Sequence, residues 1–152
     1  MYSKKKGFSL VEILLAGSVF TLFAWGTVEV LLTSLTLNRL GEETTIAKEY
    51  ATMGIEAVSS IKNHDFSNLS PTNSTGIERQ NEIWVFSGES DVFDKYVRHI
   101  TISEVSRDED GVITENGGEV DEETRKITVT VTWNFTPTRS NSVVLDTYLT
   151  QR

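Results

Sequence analysis

Residues 13–28 form a run of 16 positions without a charged side chain, bracketed by Glu12 and Glu29 and preceded by Lys4, Lys5 and Lys6. A helix apolar on every side has no stable place in water and must be surrounded by hydrocarbon or by other apolar helices. At about 1.5 Å per residue the run covers about 24 Å, and its extension to residues 8–32 gives 25 residues, enough for a hydrocarbon layer of about 30 Å. Basic residues flanking a span stay on the cytoplasmic side, so everything after residue 32 is expected beyond the membrane. The expectation is a single-pass protein with a cytoplasmic leader and an extracytoplasmic carboxyl part. A secretory signal fits the same stretch, with Lys4 to Lys6 as its basic region, residues 10–23 as its apolar region and Ala24-Trp25-Gly26 as its cleavage site.

Glu12 separates the two readings. A carboxylate inside an apolar helix costs roughly 2.5–3.5 kcal/mol on insertion scales, and a disposable signal gains nothing from it. The nine residues Lys4-Lys5-Lys6-Gly7-Phe8-Ser9-Leu10-Val11-Glu12 resemble the processing site of type IV pilins and type II secretion pseudopilins. The resemblance implies that a membrane prepilin peptidase cuts between Gly7 and Phe8, that the new Phe8 amine is methylated, and that Glu12 pairs with the amino terminus of a neighbouring subunit. Physical chemistry agrees with it: a glycine before the scissile bond leaves the backbone free to lie extended against a protease. The uncovered cation also gives the costly carboxylate a partner.

Composition removes most other functions. Fourteen Lys and Arg against 22 Asp and Glu leave a net charge of -8, which disfavours a polyanion-binding surface, so no nucleic-acid partner is expected for the carboxyl part. The chain has no cysteine, which excludes disulfides, thiol nucleophiles and Cys-ligated metals. Only His64 and His99 remain as imidazoles, and neither stands in a Ser-His-Asp pattern; no catalytic residue, cofactor or metal ligand is assigned.

Beyond the apolar run, Ile46, Tyr50, Met53, Ala57 and Ile61 recur at helical spacing, with Glu42, Glu43, Lys48, Glu49, Glu56 and Lys62 on the other face. No proline lies between residues 8 and 62, so one helix is predicted over that range. Residues 63–80, rich in Asn, Ser and Thr and containing Ser70-Pro71, read as a loop. Strands are predicted at 82–87, 95–105, 127–135 and 142–150; the clearest alternates Ile127, Val129, Val131, Trp133 and Phe135 with Thr128, Thr130, Thr132 and Asn134. The predicted class is α+β and type IV pilin-like: a long amino-terminal helix, half transmembrane and half amphipathic, on a four-stranded antiparallel sheet. Its parts are a leader at 1–7, a transmembrane and assembly half at 8–40, an amphipathic half-helix at 41–62 and a sheet at 63–152.

Residues 106–124 hold eight carboxylates with only Arg107 opposing them. Asp108, Asp110 and Gly111 match part of a calcium loop, but Gly117 occupies the position that needs a bidentate glutamate, so the segment reads as a solvated acidic hairpin. The carboxyl end, from Arg125 to Trp133 and from Val143 to Thr150, resembles that of PilV-type minor pilins. The function implied is a structural, non-enzymatic subunit of a type IV pilus or type II secretion pseudopilus. Its partners would be prepilin peptidase, other pilin or pseudopilin subunits and the inner membrane, and its destination an extracellular or periplasmic filament. The alternative is a single-pass anchored binding module that never enters a filament.

Overall fold

The computed structural model describes Gly7, residues 9–114 and residues 117–151. Its first element, α1, is a single helix of 55 residues, Leu10–His64, uninterrupted because the first proline is Pro71. The helix stops where the Asp65 carboxylate accepts from the Ser67 backbone N–H at 2.9 Å and starts a short 3-10 turn, Phe66–Asn68. The described chain divides into two compact units, one ending at Glu42 and one beginning at Glu43. In the first, no described side chain is buried; the leucines, valines and phenylalanines from Leu10 to Leu37 stand exposed all round α1.

The second unit packs α1 from Glu43 onward on an antiparallel sheet of seven strands rather than the predicted four: β1 (Thr72–Gln80), β2 (Ile83–Ser87), β3 (Asp91–Phe93), β4 (Tyr96–Arg107), β5 (Ile113–Thr114), β6 (Glu119–Thr136) and β7 (Arg139–Thr150). The main path runs β2-β1-β4-β6-β7. β4 pairs with β6 from Val97↔Thr132 to Arg107↔Glu119, with a bulge between Glu104 and Val105. The other edge of β4 is divided among three short strands: β3 along Tyr96 to Arg98, β1 at Ile100 and Ile102, and β5 at Ser106 and Arg107. β4 thereby has ladder partners on both sides at each end and in its middle.

β1 lies in the segment expected to be a loop. Pairing overrides the weak strand preference of its Thr, Asn and Ser residues: β1 leaves β4 after Thr75 and enters a ladder with β2 beginning at Gly76↔Ser87. Gly76 sits at that departure point. A Cβ there would lie 2.5 Å from the Ser90 carbonyl carbon and 2.7 Å from the Ser87 oxygen, so only glycine allows the approach.

The core lies between α1 and the sheet. The inward residues of β6, Ile127, Val129, Val131, Trp133 and Phe135, are all buried, while Thr128, Thr130 and Thr132 alternate with them on the wetter face. On the helix the buried residues are Glu43, Ala47, Tyr50, Ala51, Gly54, Ala57, Val58 and Ile61. Tyr50, Ala57 and Ile61 lie on the expected stripe, but Met53 is 51% exposed, because the face turned to the sheet is centred on small residues. Gly54 lets α1 come so close that an added Cβ would be 3.1 Å from Val129 Cγ1. Each large side chain fully buried here contributes roughly 1.5–3 kcal/mol.

Candidate assembly site on the apolar helix

The amino-terminal turn of α1 is built by two side-by-side features of the sequence, a serine just outside the helix and a glutamate three residues on. The Ser9 backbone N–H donates to Glu12 Oε2 at 3.1 Å, and the Ile13 N–H donates to the Ser9 carbonyl at 3.2 Å. Glu12 thus supplies the glutamate arm of a capping box and places a negative charge at the positive end of the helix dipole. The local signal for this cap is the pattern Ser-x-x-Glu, Ser9 to Glu12, directly before an apolar run. Gly7 is exposed and lies outside the helix. The expected scissile partner and methylation site, Phe8, and the leader lysines Lys4, Lys5 and Lys6 lie outside the described residues.

Further along the first unit, hydroxyl side chains bond back to carbonyls of the helix itself. Ser18 donates to the Leu15 carbonyl at 2.9 Å, Thr21 to Ser18 at 2.8 Å, Thr27 to Phe23 at 2.8 Å and Thr36 to Leu32 at 2.9 Å. Hydroxyls bonded back to the preceding turn present little but methyl and methylene surface outward. Leu10, Phe20, Leu22, Phe23 and Trp25 are each more than 70% exposed. α1 is long and apolar enough to cross a membrane, and a surface of this extent on a water-soluble monomer would be an association site.

The second unit holds its polar groups in tight internal networks. Glu43, expected on the solvent face, is buried: its carboxylate lies 2.7 Å from Lys95 Nζ and accepts from Trp133 Nε1 at 3.0 Å, while Tyr96 donates to its carbonyl at 3.3 Å. Arg98 holds Asp91 through two hydrogen bonds of 2.8 and 3.2 Å, donates to the Tyr50 carbonyl at 2.9 Å, and stacks over the Tyr50 ring at 4.0 Å. Tyr50 in turn donates to Asp91; burial, then that carboxylate, pushes its phenol far above the ordinary range and keeps it a neutral donor.

No constellation for chemistry arises among these groups. His99 Nδ1 lies 3.0 Å from Ser74 Oγ, and the same hydroxyl also bonds to the Glu89 carbonyl at 2.6 Å; among the described residues no carboxylate orients the ring. His64 is exposed at the end of α1. Among the described residues, no group of three or more His, Asp or Glu side chains is placed to hold a metal ion. In the acidic segment, Asp121 is tied to Arg107 at 2.6 Å, and Asp108 closes its own turn by accepting from the Asp110 and Val112 N–H groups. Compared with family models, curated proteins and solved structures, the chain gives no significant match to any of the three.

Proposed function

We propose that this chain is a structural, minor pilin-like subunit of a type IV pilus or type II secretion pseudopilus. In this reading prepilin peptidase cuts between Gly7 and Phe8, the Phe8 amine is methylated, and the protein waits in the inner membrane as a single-pass precursor before packing its helix among those of other subunits. The observation that carries the reading is a helix apolar on every side with a carboxylate in its first turn, five residues after Gly7. The compact second unit holds its buried charges in tightly bonded clusters around Glu43 and Arg98. Removal of the leader takes three of the fourteen basic residues and no acidic one, so the exported subunit is more acidic than the precursor.

A second reading, a single-pass anchored module outside any filament, draws on one specific observation: the Glu12 carboxylate is already engaged by the Ser9 N–H and so has a use within its own helix. The two readings part at Glu12. Under the filament reading, Glu12→Leu inserts in the membrane and is cleaved like wild type, since the substitution leaves Gly7-Phe8 and hydrophobicity intact, but it does not enter sheared filaments. Measuring membrane and filament fractions in the native host decides the matter; equal incorporation of the variant sinks the assembly role of Glu12 and favours the anchored module.

A further inference from the structure

Glu29 is the sole ionisable side chain between Glu12 and Arg39. Unlike Glu12, held by the Ser9 N–H, and the hydroxyls of Ser18, Thr21, Thr27 and Thr36, which bond within the helix, its carboxylate has no hydrogen bond or ion pair among the described residues. The positions one turn away are Trp25, Gly26, Leu32 and Thr33, none a cation, and Arg39 is about 15 Å further along the axis. Nothing in its own segment can neutralise it.

In a bilayer this is tolerable. Glu29 lies nineteen positions beyond Leu10, the first residue of α1, a rise of about 29 Å, which puts the carboxylate at the far edge of the hydrocarbon, where headgroups and water reach it. Among packed apolar helices no headgroup is present, and an unpaired carboxylate beside Trp25 and Leu32 is strongly disfavoured until a cation meets it. Residues 8–38 contain no Lys, Arg or His. The one positive charge that a processed segment brings into such a bundle is its new amino terminus.

We infer that Glu29 receives the Phe8 amine of a second copy of this chain, displaced along the bundle axis by about 30 Å. The inference rests on the filament reading proposed above and extends it to a second acceptor. A singly methylated ammonium keeps a pair of N–H donors, so the same terminus can serve Glu12 of one neighbour and Glu29 of another. Two acceptors at different heights fix the axial register over a span that one alone would leave free to slide between featureless apolar surfaces.

The test compares full-length Glu29→Gln and Glu29→Asp with wild type in the native host, scoring membrane insertion, cleavage after Gly7 and recovery in sheared filaments. Insertion and cleavage remain at wild-type level, Glu29→Gln falls in filaments by about tenfold or more, and Glu29→Asp, which keeps the charge, lies between. Because the chain is free of cysteine, the stagger itself can be read: Leu10→Cys and Val30→Cys in one chain, treated with a short bismaleimide, give a ladder of multimers from filaments, while either substitution alone gives none. If the doubly substituted chain does not assemble, the Gln and Asp comparison decides. Wild-type incorporation of Glu29→Gln overturns the inference, as does the absence of a ladder from assembled filaments. A ladder from Val30→Cys with Leu40→Cys in its place also overturns it, since that stagger brings Arg39 rather than the amine. In each of these cases a Glu12-dependent filament leaves the parent reading standing; an uncleaved chain that never leaves the membrane removes both.

Discussion

Arg98 shows how the second unit handles charge at the level of single residues. Its side chain is 4% exposed, a position that would be prohibitive for a lone guanidinium, and it is filled because Asp91, the Tyr50 carbonyl and the Tyr50 ring face it together. Glu43 is buried by the same logic, with Lys95 and Trp133 as its partners. Neither site is legible locally in the sequence, since Glu43 and Trp133 are 90 positions apart and only the packed helix brings them together. Asp121 is the more accessible case and gives a pH prediction. Hydrogen bonds from Arg107, then Thr124, and from the Glu123 N–H hold its carboxyl at about 2, below the ordinary 3.8. A depressed carboxyl pKa stabilises the fold fully above the unfolded value and loses that contribution as pH falls from 3.8 through about 2. Urea unfolding midpoints of wild type should therefore exceed those of Asp121→Asn at pH 5, and the gap should close near pH 2. A gap independent of pH would mean that the Arg107–Asp121 charge pair is not what stabilises this end of the sheet.

At the scale of elements, strongly periodic segments are legible and segments made by pairing are not. The helix is readable from an unbroken proline-free stretch, and β6 from its alternation of Ile, Val and Trp with Thr. β1 is not, because Thr72-Asn73-Ser74-Thr75 carries the composition of a loop and becomes strand only where β4 and β2 supply its ladder. The helix stripe is readable in Tyr50, Ala57 and Ile61 but incomplete: Ala47, Ala51 and Gly54 weigh little in a hydrophobic pattern, yet they are what lets the helix approach the sheet. The candidate assembly site divides in the same way, since the run of apolar residues and Glu12 are local signals, whereas the partner proposed for Glu12 lies on another chain. Gly76 tests the pairing account. Gly76→Ala drives a methyl into the Ser87 and Ser90 backbone, which cannot rotate away as a side chain would, and should cost about 2 kcal/mol or more. Unfolding by denaturant measures this, and a neutral outcome would show that β1 can shift without harm to the sheet.

On the scale of the whole molecule, the chain joins two units with opposite demands. The unit ending at Glu42 exposes its apolar side chains and, among the described residues, buries none, while the unit beginning at Glu43 closes a core of its own. One requires an apolar environment from outside and the other does not. In the proposed reading a membrane meets that requirement before assembly, and neighbouring helices meet it in the filament. This exchange of surroundings is why a charge at Glu12 is informative and why the terminus near it matters most. Mass spectrometry of the amino-terminal peptide, taken from protein recovered in sheared filaments, addresses that terminus directly. The expected peptide begins at Phe8 and is heavier by one methyl group. A peptide that begins at Met1, or one that begins after Gly26, would contradict the assignment of this chain as a processed filament subunit.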